Sequence, residues 1–380
     1  MNPINSEKTA GLYIHVPFCL SKCPYCDFYS ETFLSAIPDF LKGLFKEMEG
    51  DHDPFERFDT VYIGGGTPSL LAPQQLERIL MSVQKNFHLT SDAEFTIEVN
   101  PADLNPSFLR SLRGMGIHRI NLGVQSFDER VLRFLGRRHT VNQAFSAMEA
   151  SRKAGFDHMG LDLIDGVPMQ GMDSWLNTLE RALTFLPEHL SCYQLTIEAK
   201  TPLGKRYEKG EFFMPGEETQ YQFFMMTSQF LEEAGYLHYE ISNFAKGIEH
   251  RSRHNQKYWD HSPYLGLGPS AHSFFDDQRW WNDSSLDSYL DQIHQGRLPV
   301  EEKETLTLDQ LRLETLFLGL RTKRGVDLEN FKYRFACDLL MEKKHLLETL
   351  EEEGFLTICD GSIAPTRKGF AVADSLSLIG

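Results

Sequence analysis

Three cysteines lie close together and are the residues of this sequence best suited to hold a reactive group. Cys19, Cys23 and Cys26 form a C-x3-C-x2-C pattern shortly after an apolar run that ends at Val16. Thiolates this close repel one another unless they are oxidised together or bind a metal. A four-iron cluster ordinarily takes four cysteines, so three would leave one iron open for a small molecule. The spacing therefore favours a [4Fe-4S] cluster with an open position.

Zinc is the alternative for the same thiolates. His15 lies four residues before Cys19, and three cysteines with one histidine are an established zinc ligand set. However, the sequence has no second C-x2-C pair, which structural zinc sites usually supply from a distant segment. From the cysteines alone we favour the cluster, and zinc stays open.

A run of three glycines forms the second motif. Gly64, Gly65 and Gly66 end another apolar run, and Thr67 and Pro68 follow them. Consecutive glycines expose the backbone to a ligand and permit positive φ. The run lacks the spacing and the Lys-Ser/Thr pair of phosphate loops, which disfavours binding of nucleotide phosphates. It fits either a tight strand-to-helix turn or a cradle for a small molecule.

Alternating strand and helix patterns must position these motifs. In about the first half of the chain, short β-branched or aromatic runs alternate with amphipathic helical patterns. Six parallel β/α units in about 200 residues predict an incomplete, TIM-like (β/α)6 barrel, since a full barrel takes about 250. Chemistry in such folds gathers at the carboxyl ends of the strands, where both motifs fall. We predict strands at residues 12–16, 60–64, 94–99, 119–123, 159–164 and 191–197, and helices at 73–87, 107–115, 141–154 and 173–186.

Two further regions follow the barrel, giving three predicted domains. Residues 1–210 form the partial barrel, and residues 211–300, which are irregular and aromatic, form an α+β region that completes it. Residues 301–380 carry helical patterns at 306–320, 328–335 and 339–352, followed by a hairpin turn at Asp360-Gly361. Three helices and a hairpin predict a winged-helix-like C-terminal domain.

Charge and composition limit the classes of function that this chain can have. The net charge is −16, with 54 acidic against 38 basic residues, which weighs against nucleic acid as a main partner because phosphates need a positive field. The longest apolar stretches are of strand length, and residues 1–8 lack an apolar signal core. Cys192, Cys337 and Cys359 show no disulfide spacing, which favours a reducing, cytoplasmic setting.

Taken together, the motifs resemble those of the radical S-adenosylmethionine (SAM) superfamily. The cysteine pattern after Tyr-x-His-x-Pro-Phe, the Gly-Gly-Gly-Thr-Pro loop and Glu-Val-Asn-Pro at residues 98–101 are similar, more narrowly, to the anaerobic coproporphyrinogen III oxidase family. The resemblance covers nearly the whole chain. It implies that Cys19, Cys23 and Cys26 hold a [4Fe-4S] cluster whose open iron binds the amino and carboxylate groups of SAM. It also implies that residues 301–380 are a HemN-type domain.

The resemblance implies a role for each residue that matches the family's motifs. Tyr13 would lie near the cluster and the adenosine, Glu98 would hold the SAM ammonium, and Arg137 would pair with its carboxylate as a fork. From the residues alone, each of these could equally be a capping or solvated group at a strand end. The other implied contacts are Gly65, Gly66 and Thr67 with the methionine end, Gln125 with the ribose or a carboxylate, and Asp162 with the ribose.

Two departures separate the chain from the oxidase itself. In both of them the chain resembles a heme-chaperone branch of the family, HemW. Phe28 stands where the oxidase has a fourth cysteine, and only ten residues precede Gly11, where the oxidase has a longer segment. The branch also has an H-N-x-x-Y-W signature, which this chain matches from residue 254 to 259. The resemblance therefore implies a heme site.

The implied heme site consists of His254, Tyr258 and Trp259. Imidazole and phenolate are established ligands of heme iron, and a tryptophan ring can stack on an apolar macrocycle. Without the resemblance, an aromatic loop that packs against the barrel would explain the same residues. His250 and His272 are alternative iron ligands.

The resemblance implies a heme chaperone that binds heme, a [4Fe-4S] cluster and SAM and transfers heme to acceptor proteins, among them respiratory enzymes. The alternative is an oxygen-independent coproporphyrinogen III oxidase, which the two departures disfavour. A tRNA-modifying radical enzyme is disfavoured by the acidic charge. We further expect a low-potential electron donor, no nucleic acid, and peripheral membrane contact only through acceptors.

Overall fold

The computed structural model describes residues 9–379. Residues 1–8, where the sequence shows no signal core, and Gly380 lie outside the described part. Six parallel strands pair in chain order, as the alternating pattern predicts. They are β1 Ala10–Val16, β2 Phe58–Gly65, β3 Leu89–Val99, β4 Arg119–Gln125, β5 His158–Asp165 and β6 His189–Gln194.

Helices connect these strands and cover the outside of the barrel. Pro73 opens α2, where its missing N–H leaves no hydrogen bond unmade. The helix buries one face, whose members are spaced three or four residues apart: Leu76, Ile79, Leu80 and Val83. The helices are α1 Ile37–Met48, α2 Pro73–Asn86, α3 Pro106–Gly114, α4 Glu129–Phe134, α5 Val141–Lys153 and α6 Met172–Leu183.

Side chains alternate across the barrel strands between the apolar exterior and a polar interior. In β1, Leu12 and Ile14 are fully buried in the main hydrophobic core, whereas Tyr13 borders a cavity inside the barrel. In β2, Ile63 joins the same core and Tyr62 faces Tyr13 across the strands, with ring centroids 6.1 Å apart. The interior is therefore not packed with branched apolar layers, as a closed TIM barrel is, and it leaves room for ligands.

The middle region extends the sheet at both edges of the barrel. Strands β8 and β7 continue it beyond β6, and strands β9 to β12 continue it beyond β1, so that twelve strands form one sheet. The elements are α7 Pro202–Glu208, α8 Glu217–Glu233, β7 Leu237–Glu240, β8 Asn243–Ala245, α9 Arg253–Trp259, β9 Tyr264–Leu267, β10 His272–Phe275, β11 Gln278–Asn282, α10 Leu286–His294 and β12 Val300–Thr305.

The C-terminal region folds around a separate hydrophobic cluster that includes Leu316, Phe331 and Ile363. A three-stranded antiparallel sheet in the order β13-β15-β14 packs with helices, in the predicted winged-helix-like arrangement. The domain boundaries at residues 210 and 300 remain predictions. The elements are α11 Leu308–Gly319, β13 Val326–Asp327, α12 Leu328–Phe335, α13 Leu339–Glu342, α14 Lys344–Glu352, β14 Leu356–Cys359, β15 Ser362–Pro365, α15 Arg367–Phe370 and α16 Ala373–Leu376.

The observed strand β3 begins at Leu89, before the predicted start at 94, and α6 ends at Leu183, before the predicted end at 186. Two further differences have a local cause in the backbone. The strand predicted at 191–197 ends at Gln194, because its partner β5 ends at Asp165 and Gly166, with φ +68°, turns the chain away. The helix predicted at 339–352 is interrupted at Lys343, whose φ of −117° and ψ of 22° leave the helical region. In the part of the chain that the structure describes, no helix is both long and apolar enough to cross a bilayer.

A buried carboxylate joins α1 to the extended sheet. Glu47, only 2% exposed, accepts hydrogen bonds from the Gly268 N–H at 2.8 Å, from Asn282 Nδ2 at 2.5 Å and from the Tyr289 hydroxyl at 2.6 Å. Buried charges are tolerated only when such bonds replace water. This network fixes the turn between β9 and β10, which borders the barrel interior.

We expect Tyr289→Phe to lower the free energy of unfolding by about 1–3 kcal/mol, because it leaves a buried carboxylate with one hydrogen bond fewer. Urea denaturation followed by circular dichroism measures the change. Tyr207→Phe is the matched control, since the Tyr207 side chain lies at the surface. Equal stability of the two variants would contradict this role for Glu47.

Candidate functional site: two adjoining cavities at the barrel end

The cysteine loop lies over the carboxyl ends of the barrel strands and contacts two other predicted site residues. The Thr67 hydroxyl lies 3.4 Å from Cys19 Sγ, and Arg137 Nη1 lies 3.5 Å from Cys23 Sγ. Within the loop, the Cys26 N–H donates to the Cys23 carbonyl at 3.1 Å. The loops after β1 and β2 and the segment after α4 thus meet at the three cysteines.

The thiols of this loop influence one another. Burial raises the pKa of Cys26, and the nearby Cys23 and Cys19 raise it further. Forming several thiolates here is therefore unfavourable unless a positive group stabilises them. Such a group would be a metal centre.

The arrangement of the cysteines bears on which metal centre they suit. Among residues 9–379, no three His, Cys, Asp or Glu side chains converge on a point where they could hold one metal ion. A mononuclear zinc site requires that convergence, because all four ligands bind the same ion. In a [4Fe-4S] cluster each cysteine ligates a different iron, so the sulfurs stand further apart. Measurement of iron and acid-labile sulfide distinguishes the two kinds of centre.

A cavity of about 510 Å³ opens beside Cys26, and we name it the cluster-side cavity. Every residue assigned by resemblance to SAM borders it, with the exception of Tyr13. These residues come from the ends of four strands and from the segment after α4: Gly65, Gly66, Thr67, Glu98, Gln125, Arg137 and Asp162. Asn100 and Tyr193 also border it.

Two half-buried carboxyl groups make the cluster-side cavity receptive to a cation. Glu98 accepts hydrogen bonds from the Tyr62 hydroxyl at 2.7 Å and from the Gly65 N–H at 3.2 Å. Burial raises the pKa of Glu98 to about 7, with a further contribution from Asp162, and burial raises the pKa of Asp162 to about 6. A positively charged ligand would favour their ionised forms. SAM carries both an ammonium and a sulfonium.

Arg137 supplies the opposite charge in the wall of this cavity. Its Nη2 donates to the Gly123 carbonyl at 2.6 Å, and Nη1 points to Cys23. Its Nε is buried without a hydrogen-bond partner among the described residues. An unsatisfied buried donor is costly, so this guanidinium suits an anionic ligand group such as a carboxylate. The donor set of the cavity therefore fits SAM.

The glycines of the second motif are required by packing as well as by a ligand. Gly65 has φ +106°, and a Cβ there would lie 2.7 Å from the His15 ring. A Cβ on Gly66 would lie 2.6 Å from the Phe18 carbonyl oxygen. The tight-turn interpretation is therefore part of the explanation. Substitutions at these glycines would displace the loop after β1, so they do not test ligand binding alone.

A second cavity, of about 620 Å³, lies inside the barrel and adjoins the first; we name it the central cavity. It contains the three residues of the predicted heme site, His254, Tyr258 and Trp259. Tyr13 also borders it, with its hydroxyl 3.1 Å from His15 Nδ1, rather than the cluster-side cavity. Both cavities share five wall residues: Asp27, Phe28, Gly65, Glu98 and Tyr193.

Helix α9 presents the predicted heme residues to the central cavity. Lys257 Nζ lies 2.7 Å from Asp59, and Arg253 Nη2 lies 3.1 Å from the same carboxylate, just after the start of β2. The helix can lie this close to β1 because position 11 is glycine, where a Cβ would meet Lys257 Cδ at 2.8 Å and His254 Cε1 at 3.1 Å. These contacts place His254 towards the amino ends of the strands.

Sequence reasoning did not identify several residues of the central cavity, among them Tyr62, Tyr193 and Glu240. The period of two along a strand was the available signal. Tyr62 stands between Thr60 and Gly64 on the inward face of β2, so its ring faces the same space as Tyr13. Glu240 carried no such signal, because it enters the barrel from the middle region.

We expect Cys19→Ala, Cys23→Ala and Cys26→Ala each to abolish an iron–sulfur cluster. Anaerobically reconstituted protein should carry about four irons and four acid-labile sulfides per chain. Cys192→Ala is the matched control, since Cys192 is buried in β6 away from the loop. One zinc ion per chain without labile sulfide would contradict the cluster assignment.

We expect Arg137→Lys to weaken SAM binding about tenfold or more, because lysine cannot reproduce the bidentate guanidinium and a charge-assisted bond contributes about 1.5–3 kcal/mol. Calorimetric titration of reconstituted protein measures it, once the cluster content is shown to be unchanged. Arg138→Lys is the neighbouring control, because Arg138 pairs with Asp103 at 3.0 Å. Equal losses in both variants would indicate a general effect on the fold.

Comparison with known proteins shows which families this sequence and this fold match. Residues 13–182 match the family model of the radical SAM superfamily, and residues 306–372 match that of the HemN C-terminal domain. The fold is similar to that of the coproporphyrinogen III oxidase HemN from Escherichia coli, a radical SAM enzyme. The TM-score is 0.85 at 24% identity, covering 98% of this chain and 90% of that one. The predicted radical SAM fold class is confirmed.

Curated relatives are more similar in sequence. The heme chaperone HemW of Lactococcus lactis is 33% identical over 376 residues, which is 97% of both chains. The heme chaperone HemW of Bacillus subtilis is 33% identical over 363 residues, 94% of this chain and 95% of that protein. With this identity over almost the full length of both proteins, the chain belongs to the HemW family of radical SAM proteins.

Proposed function

We propose that this protein is a heme chaperone, which binds heme together with a [4Fe-4S] cluster and SAM and transfers the heme to acceptor proteins. The family supports this function, because the relatives from Lactococcus lactis and Bacillus subtilis are named heme chaperones. The observation that carries the proposal is the position of His254, Tyr258 and Trp259 in one cavity that adjoins the SAM-type site.

The central cavity suits an apolar macrocycle. Its volume of about 620 Å³ lies within the usual range of about 300–1,000 Å³ for ligand pockets. Aromatic side chains dominate its wall, and such rings stack favourably on a porphyrin. Phe28, which is 69% exposed, stands at the wall between the cavities and offers a large apolar face. In the oxidase that the sequence resembles, this position is a cysteine.

The charge of the central cavity favours heme over coproporphyrinogen III. No lysine or arginine of the described chain borders it, whereas Asp27, Glu98 and Glu240 do. Coproporphyrinogen III carries four propionates distributed around the macrocycle, so several would face these carboxyl groups. Heme carries two propionates on one edge, which can remain in solvent while the apolar part enters. Burial raises the pKa of Glu98 and of Glu240 to about 7, so propionates placed beside them would keep these carboxyl groups neutral. The buried propionates would still lack a basic partner, which makes the first arrangement costly.

The cluster and SAM would occupy the neighbouring cavity. A cluster with an open iron supplies SAM coordination and one-electron reduction. The chain's own residues bind and orient the ligand: Glu98 faces its ammonium, and Arg137 faces its carboxylate. Because Phe28, Glu98 and Tyr193 border both cavities, a ligand in one contacts the wall of the other. The proposal includes a low-potential electron donor and acceptor proteins, some of them at membranes.

We expect the purified protein to bind about one heme per chain and to convert no coproporphyrinogen III to protoporphyrinogen when reductant and SAM are supplied. Phe28→Ala should weaken heme binding by about 10- to 100-fold, because a buried aromatic contact contributes about 1.5–3 kcal/mol. Heme titration followed by absorbance measures the affinity, and cluster content is checked in parallel.

Phe213→Ala is the matched control, because Phe213 is 84% exposed and borders neither cavity. Turnover of coproporphyrinogen III at about one per second or faster, an ordinary enzymatic rate, would replace the chaperone function with the oxidase. If Phe28→Ala and Phe213→Ala both leave the heme affinity unchanged, the heme binds elsewhere on the protein.

A further inference from the structure

The central cavity is bordered by three histidines, and two of them have no free ring nitrogen. His254 is 1% exposed; its Nδ1 lies 2.8 Å from the Thr60 hydroxyl and its Nε2 lies 2.9 Å from the Tyr258 hydroxyl. His15 is 4% exposed, with Nδ1 bonded to Tyr13 and Nε2 2.9 Å from the Tyr29 carbonyl. Either ring would have to break a buried hydrogen bond before it could bind iron.

His272 differs from both. It opens β10, its side chain is exposed to the central cavity, and no described residue between 9 and 379 makes a hydrogen bond to its ring. Its cross-strand neighbour Trp281 stacks against it, with the ring planes inclined by 28° and their centroids 5.6 Å apart. The imidazole is therefore positioned by packing while its nitrogens stay unused.

The position of His272 in the barrel also suits a ligand near the cluster. Strand β9 runs parallel to β1, so its end at Leu267 lies at the carboxyl edge of the barrel, beside Ile14. The turn from Gly268 to His272 follows directly, and Glu47 fixes it through the Gly268 N–H. His254 lies at the opposite, amino-terminal edge, near Thr60.

Competing oxygen ligands are less suited to iron. Burial raises the pKa of Tyr258 far above its usual range, and burial raises the pKa of Tyr264 to about 12. Phenolate formation in this cavity is therefore costly. Burial, with a contribution from Arg279, lowers the pKa of His272, which keeps the imidazole neutral and its lone pair available near pH 7. The alternative His250 borders neither cavity; its Nδ1 lies 3.2 Å from His158 Nδ1.

We propose that His272, rather than His254, supplies the axial nitrogen to the iron of a heme held in the central cavity. This inference rests on the proposed function. In this arrangement His254 is a positioning residue, which supports the wall through Thr60 and Tyr258 without touching the iron.

Ligand replacement tests the assignment. Ferric heme is bound to the reconstituted full-length protein and to the variants His272→Gly, His272→Cys and His254→Gly, with His345→Ala as a control because His345 is fully exposed. Electron paramagnetic resonance and the Soret band report the axial ligand. We expect His272→Gly to lose the histidine-ligated signal and to regain it on addition of imidazole. His272→Cys should give a thiolate-type signal.

His254→Gly should keep the histidine-ligated signal even if its heme affinity falls, and His345→Ala should match the wild type. The proposal is overturned if both His272 variants keep the wild-type signal, if neither imidazole nor cysteine restores ligation at position 272, or if imidazole rescues His254→Gly instead. If the wild-type protein binds no heme, the proposed function itself is refuted. That outcome differs from a wrong assignment of the axial ligand, in which the wild-type protein binds heme but His272 does not ligate it.

Discussion

The close packing of the glycine loop against the segment after β1 is the constraint on which the site depends. Strands β1 and β2 pair in register up to Val16 and Gly65, and the Gly66 N–H then donates to the Val16 carbonyl at 2.9 Å. Side chains at positions 65 and 66 would collide with His15 and Phe18. Without this approach, the cysteine loop would not lie beside Thr67.

The polar barrel interior follows from the same strand register. Because inward positions alternate with core positions, each strand brings one or two polar or aromatic groups to a common space. The result is two adjoining cavities of different character. One has half-buried carboxyl groups and an arginine in its wall and suits a zwitterionic, positively charged ligand. The other is aromatic, lacks lysine and arginine among its described wall residues, and suits an apolar ring with its charges at one edge.

Short sequence motifs predicted the parts of this site that lie within a single segment of the chain. The cysteine spacing, the glycine run and the strand-end positions of Glu98, Gln125 and Asp162 lie within short segments, so the sequence indicated them directly. The hydrogen bonds of His254 could not be predicted, because its partner Thr60 lies 194 residues away. The place of His272 in the wall of the central cavity depends likewise on how the turn after β9 packs, and Glu47 fixes that turn from 221 residues away. The resemblance therefore predicted His254 as a heme residue, but the sequence could not distinguish an engaged imidazole from the open one of His272.

The distance between heme and cluster tests the central claim most directly, because the account requires that both occupy adjoining cavities with a common wall. Spin-relaxation measurements on reconstituted protein with a reduced cluster, with and without ferrous heme, report this proximity, because the cluster cannot reduce ferrous heme further and five-coordinate ferrous heme is paramagnetic. The account predicts that heme markedly accelerates relaxation of the cluster spin, and that Phe28→Ala lowers the fraction of chains affected without altering the cluster itself. Stoichiometric heme binding that leaves cluster relaxation unchanged would contradict the account, since the heme would then lie away from the central cavity.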